Sequence, residues 1–289
     1  MLKIQNVTYG YNSVHNVLEN FSLSYEEPGI YGLLGKNGTG KSTLLYLITG
    51  LLSPKQGEIT FDGVNTRLRE PATLQEMFIV PEEYNLPSIM LPDYLKVLKP
   101  FYPNFDEQLM VKLLEMFEMK NVNGADLDEN GIPKINLGAL SMGQKKKVYL
   151  CIALAARTKL LLMDEPTNGL DIPSKSQFRK LVTTGMTDDK LMLISTHQVR
   201  DISEILDHVT ILDRSKVLLN TSIADVMGHL AFRPMQECDQ PLFVQPSVMG
   251  SLVVVPAQPD EETAVDLEML FNATLQNPDA INQLFNASK

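Results

Sequence analysis

Gly35-Lys36-Asn37-Gly38-Thr39-Gly40-Lys41-Ser42-Thr43 is the stretch on which the reading of this chain turns. It fits the spacing G-x-x-x-x-G-K-[ST], is entered from a short apolar run at 30–34, and opens onto an apolar helical pattern. Strand, glycine loop and helix in that order make a phosphate cradle. The glycines let backbone N–H groups turn inward onto phosphate oxygens, and the start of the helix adds a positive partial charge. Lys41 has the reach to neutralise the outer phosphates, and the Ser42 hydroxyl is placed to ligate Mg²⁺. All nine residues are therefore expected to bind a nucleotide.

Further along, Leu160-Leu161-Leu162-Met163-Asp164-Glu165 is an apolar strand that ends in two acids. A buried strand of a parallel sheet delivers its last residues to the carboxyl edge, where the phosphate loop also lies. Asp164 is expected to hold Mg²⁺ through water, and Glu165 to orient and deprotonate an attacking water. Side chains alternate along a strand, which keeps the two roles apart.

Working outward, residues 2–8 alternate like a strand, and 21–25 read as a second before the turn Glu27-Pro28-Gly29. Residues 57–61 form another, closed by Asp62-Gly63. From 92 to 119 the period becomes helical, with Leu95, Leu98 and Tyr102 on one face and Leu109, Leu113, Met116 and Phe117 on another. Pro103-Asn104 separates those two helices, and 123–133 is a polar loop. A helix follows Ser141, then the acidic strand, a helix from about Ser174, and a strand at 191–195. Strands alternating with helices imply an α/β fold with a mostly parallel sheet. The helical insert, at about 87–150, falls between the two phosphate-site motifs.

No window approaches the roughly 18 apolar residues of a membrane span. Two distant cysteines, Cys151 and Cys238, suit a reducing compartment better than a disulfide framework. The net charge of −10 argues against nucleic acid as a partner. Seven of those ten charges lie after residue 220, where nine acids face only Arg233 and Lys289. That tail reads as a small domain packed on the core or as a dimerisation or regulatory module. Strands are expected at 242–244 and 252–255, and an amphipathic helix at 263–275. Since every phosphate-site motif lies before residue 200, deletion of 225–289 is expected to leave a folded body. Met110, Met116 and Met119 read as packing of the helical insert.

One more segment is decisive. Leu140-Ser141-Met142-Gly143-Gln144, just upstream of the acidic strand, resembles the L-S-G-G-Q signature of ATP-binding cassette (ABC) ATPases, with Met142 for the first glycine. The same residues also spell a capping box, Ser141 with Gln144 three places on, and both readings hold together. The resemblance covers about residues 1–220 and implies a P-loop core, an antiparallel β subdomain and a helical insert, followed here by the C-terminal extension at 221–289. It implies ATP and Mg²⁺ as ligands, and Ser141, Gly143 and Gln144 reaching the γ-phosphate held by a second ATPase subunit in a head-to-tail dimer.

Other residues carry over singly. Tyr11 resembles the aromatic that stacks on adenine, with Tyr9 the competing choice. Asp171, in Asn168-Gly169-Leu170-Asp171, resembles an aspartate that crosses the dimer interface. His197 resembles a histidine that contacts the γ-phosphate. Where the family usually has glutamine after Ile-x-x-Pro, this chain has Glu82, either a metal contact or a hinge. The resemblance also implies membrane-spanning transporter subunits as partners and a peripheral place on the cytoplasmic face of the membrane. In the family a cleft receives helices from those subunits. Here that cleft is expected at 84–102, with Leu86, Ile89, Met90, Tyr94 and Phe101 supplying apolar contacts. A soluble mechanochemical ATPase of the same family, such as one serving cluster assembly, is the alternative.

Overall fold

The computed structural model describes residues 1–248, 250–258, 261 and 263–286. Of the tail charges counted above, Asp260, Glu262 and Lys289 lie outside the described residues. Along the chain run β1 (Leu2–Tyr9), β2 (Leu18–Tyr25), β3 (Gly29–Gly35), α1 (Lys41–Ile48), β4 (Gln56–Phe61), β5 (Val64–Asn65), α2 (Pro71–Leu74) and β6 (Met77–Val80). The insert supplies α3 (Leu91–Leu98) and α4 (Glu107–Met116) and leads into α5 (Met142–Ala155). The strand-and-helix alternation resumes with β7 (Leu160–Asp164), α6 (Ile172–Gly185), β8 (Leu191–Thr196), β9 (His208–Asp213) and β10 (Lys216–Ser222). The remainder holds α7 (Ile223–His229), β11 (Leu230–Pro234), β12 (Phe243–Ser247), β13 (Gly250–Pro256), α8 (Leu267–Gln276) and α9 (Pro278–Asn286).

Among the described residues the main sheet runs β10-β9-β3-β8-β7-β6, parallel throughout except for β10 against β9. Helices pack on its faces, so β3, β7 and β8 are buried along their whole length and read as near-continuous apolar runs. β2-β1-β4-β5 makes a separate antiparallel sheet, where apolar and exposed positions alternate. The parallel register puts Asp164 beside Ser195 and Leu34 beside Thr196. One carboxyl edge thus gathers the end of β3, the acids of β7 and the polar end of β8.

Met110 and Met119 are buried and Met116 packs on the same cluster, so the methionines serve the insert's own core. Leu86 is only 8% exposed and belongs to that core too, which removes it from the expected docking surface. The tail packs on the body, the first of the two readings given for it, and shares a core with it. β11, β13 and β12 form a small antiparallel sheet, but Leu230, Val254, Leu270, Ala273 and Ile281 belong to the core that contains Val209 and Ile211 of β9. Asn282 Nδ2 donates to Leu218 O of β10 at 2.7 Å. Removing 225–289 would bare that shared core, so the body and the tail are not independent packing units.

Lys190, just before β8, is 1% exposed, and its Nζ has no hydrogen-bond partner among the described residues. Burial, reinforced by Arg157, pushes its pKa down to about 8. The unfolded chain therefore binds this proton more tightly, and the folded state is penalised in full below pH 8. The penalty fades as pH rises through the free-lysine range. A shift of this size corresponds to about 3 kcal/mol. Lys190→Met should accordingly raise the melting temperature at pH 7 by about 5 °C. Its advantage over the native chain should shrink by pH 10; an equal advantage at both pH values would contradict the assignment.

Candidate functional site

The cradle is built as its sequence requires. Gly38 and Gly40 take φ of 81° and 96°, in the left-handed region open to glycine at little cost. Gly40 is the N-cap of α1 and supplies no side chain, so the first N–H groups of the helix face the loop. Lys41 is 6% exposed; its Nζ donates to Gly35 O at 2.8 Å and Lys36 O at 3.3 Å. Burial lowers its pKa, and Glu165, Asp164 and Glu82 oppose that shift in this order. Ser42 is half-buried and Thr43 buried in the first turn. The Thr43 hydroxyl is 3.1 Å from the Tyr11 hydroxyl. Tyr9 is buried, whereas Tyr11 is 65% exposed and meets the Tyr9 ring edge-on at 5.2 Å. Of the two tyrosines, Tyr11 is the one with a free ring face beside the cradle.

The two acids at the end of β7 are held differently. Asp164 Oδ1 accepts from Ser195 Oγ at 2.5 Å. Glu165, 5% exposed, sits at φ 45°, a left-handed conformation that a non-glycine residue adopts only at a cost. Its Oε2 accepts from Thr196 Oγ1 at 2.8 Å, and its Oε1 from His197 N at 2.9 Å and the His197 ring Nδ1 at 2.6 Å. A carboxylate only accepts, so that ring nitrogen carries the hydrogen. His197 is thus joined to Glu165 in this structure. Ser195 and Thr196 were not anticipated, although two hydroxyls closing an otherwise apolar strand are a signal in hindsight.

Beyond them runs a line of side-chain hydrogen bonds that sequence reasoning did not anticipate. Glu82 Oε1 accepts from Asn168 Nδ2 at 2.9 Å, and Asn168 Oδ1 from Gln198 Nε2 at 2.6 Å. Gln198 Oε1 accepts from Lys175 Nζ at 2.8 Å, which also pairs with Asp201 at 2.7 Å. Two residues after Gln198, Arg200 pairs with Glu268 of α8, and the turn 199–201 packs on that helix. The links span stretches far apart in sequence, so no local pattern announces them.

Ser141, Gly143 and Gln144 lie elsewhere. Ser141 caps α5, with Gln144 N donating to Ser141 Oγ at 3.3 Å and Ser141 N to Gln144 Oε1 at 3.0 Å, the full capping box. Asp171 caps α6 through Ser174 N at 2.9 Å; its hydrogen bonds with Ser174 keep its carboxyl below the usual range, with Lys147 adding to the effect. Among the described residues no hydrogen bond joins Ser141, Gly143, Gln144 or Asp171 to the cradle. A Cβ on Gly143 would stand 3.3 Å from Gly169 O, so the two segments abut.

No group of three or more His, Cys, Asp or Glu suited to a metal occurs among the described residues. A hydroxyl at Ser42 and a carboxylate at Asp164 nonetheless suit Mg²⁺, which takes one or two protein ligands and completes its shell with substrate phosphates and water.

Comparison with known proteins agrees with this architecture. The family model described as ABC transporter matches residues 18–168. The methionine import ATP-binding protein MetN of Carboxydothermus hydrogenoformans is 33% identical over 238 residues, covering 78% of this chain and 67% of that one. The lantibiotic transport ATP-binding protein SrtF of Streptococcus pyogenes is 27% identical over 219 residues, covering 76% and 90%. Among solved structures, an ATP-binding subunit of an ABC transporter superposes with a TM-score of 0.68 at 23% identity, covering 78% of this chain and 91% of its own. A structure described as a putative cobalt transport ATP-binding protein reaches 0.65 at 21% identity, covering 89% and 93%.

Proposed function

Because this chain belongs to the ABC transporter family and is an ATPase of that family, we propose that it hydrolyses ATP between two head-to-tail copies or paralogues and powers transport through separate membrane-spanning subunits. The observation that carries the reading is the meeting of Lys41, Asp164, Glu165 and Glu82 at one sheet edge beside a glycine cradle. Phosphates entering the cradle take the place of Gly35 O and Lys36 O as partners of the Lys41 ammonium. Tyr11 offers its ring to the adenine. Ser42 and Asp164 are the residues that would hold Mg²⁺, whose charge offsets that building up on the phosphates. Glu165 takes the proton of the attacking water; its three donors fix where the carboxylate points but leave it able to accept. The capped start of α5, with Ser141, Gly143 and Gln144, has no hydrogen bond to its own cradle among the described residues and is suited to face the phosphates of the opposite copy. Asp171 stands at the same face.

The test is steady-state turnover of the purified chain with ATP and Mg²⁺, together with sedimentation of an ATP-locked variant. Absence of turnover, or a monomer under locking conditions, would remove the composite-site reading.

For the membrane partner, a groove of about 490 Å³ lies between the body and the insert, lined by Leu51, Leu74, Ile79, Leu98, Phe101 and Tyr102 among others. Leu51 and Phe101 are both more than half exposed there, and no described helix is long and apolar enough to cross a membrane. A short helix of another chain fits such a groove, with a few apolar anchors carrying most of the affinity. Phe101→Asp should therefore weaken co-purification with a polytopic membrane protein by about tenfold or more, with ATP affinity unchanged. Recovery with soluble partners alone would favour the mechanochemical alternative.

A further inference from the structure

Three lysines follow one another at 145–147 on the first turns of α5, and of these only Lys146 is buried, at 4% exposure. An ammonium is withdrawn from water only at considerable cost unless something compensates for it. Its surroundings are specific. Lys146 Nζ donates to Glu82 O at 3.4 Å and lies 5.8 Å from the centre of the Tyr84 ring. One turn further along α5, the Tyr149 ring stacks on Tyr84 with centroids 4.5 Å apart and planes 18° from parallel. Helix α5 thus grips the segment after β6 at two points, residues 82 and 84, from one face.

The charges close the argument. Burial lowers the Lys146 pKa, while Glu82, Asp164 and Glu165, in that order, raise it. The same three carboxylates act on Lys41. Loss of Lys146 would remove one of two ammoniums that these three carboxylates share, beside a site that must receive a polyanion. A carboxylate at 82 is then a liability unless a second cation stands behind it.

We propose that Lys146 is a positioning residue for Glu82: its buried ammonium is the counter-charge that lets an acid stand at the edge of the phosphate site, and it fastens that acid's segment to α5. The proposal rests on the assignment of that edge as the ATP site. Its mechanical corollary is that residue 82 moves with α5, whose first turn carries Ser141 and Gly143.

The experiment is a double-mutant cycle with Lys146→Gln, Glu82→Gln and the pair together, read by melting temperature without nucleotide, ATP affinity and kcat. Lys146→Gln should lower kcat by about tenfold, and adding Glu82→Gln should recover most of that loss. The melting temperature lost in Lys146→Gln should likewise be regained in the double variant, a readout that needs no catalysis. Lys146→Arg, which keeps the charge, should stay closer to the native chain than Lys146→Met, which keeps only the volume. If Lys146→Gln alone does not fold, a folded double variant is the expected result in its strongest form. Additive effects in the cycle, or equal losses for Arg and Met, would overturn the proposal. Failure of the site assignment reads out separately, as native turnover that survives Glu165→Gln.

Discussion

Replacing Glu165 with glutamine should lower ATP turnover by about 10²–10⁴-fold, the range for loss of a general base, with ATP affinity close to that of the native chain. The geometry keeps most of the site's hydrogen bonds in this substitution. The glutamine oxygen can keep the two His197 donors that Oε1 now accepts, and the new amide can donate to Thr196 Oγ1, which already accepts from Gln198 N. The Thr196 hydroxyl is fully buried and loses the acceptor it now has, so a modest loss of melting temperature is expected beside the much larger loss of proton acceptance. With hydrolysis stopped, ATP should hold two copies together. Single-turnover kinetics and sedimentation with ATP check both halves, and near-native turnover would sink the role given to Glu165.

Lys41→Ala should fail one step earlier. The ammonium is the buried cation inside the cradle, and charge-assisted hydrogen bonds to phosphate are worth about 1.5–3 kcal/mol each. Without two such bonds, ATP binding should weaken about a hundredfold or more. Glu165, Asp164 and Glu82 all act on this ammonium, so its removal also leaves three carboxylates facing the incoming phosphates. Calorimetric titration with ATP separates the two variants: Glu165→Gln binds and does not turn over, whereas Lys41→Ala barely binds. Native affinity in the alanine variant would mean that the cradle works through its backbone N–H groups alone.

How much of this was legible beforehand depended on whether a feature is local. The cradle, β7 with its two acids, and the capping box of α5 each lie within one short window, and the structure has them where their residues suggest. The insert's two helices also follow their apolar faces, because Leu109, Leu113 and Phe117 are buried together. β10 escaped because it is an outer strand with mixed burial. Ser195 and Thr196 meet the acids only through the register of β7 on β8, thirty-one residues apart, which no periodicity encodes. Lys146 was hidden in the opposite way. A run of three lysines on a helix looks solvated from end to end, and only the packing of α5 on the segment after β6 singles out the middle one. Leu86 was misplaced for the same reason, since an apolar residue in a polar stretch reads equally as anchor or as core.

The segment after β8 carries a further consequence. Within four residues His197 is tied to Glu165, Gln198 to Asn168 and Arg200 to Glu268, and the turn that follows is packed on α8. A loop with one tether can swing; a loop with three, each leading to a different neighbour, has scarcely any motion of its own. The Arg200 pair is open to water and gives way at little cost, so at that end the loop is held by the buried Val199. Any displacement of His197 must then break a tether or drag the next body along. In engineering terms the segment is a linkage rather than a hinge, and its output end is the first turn of α8.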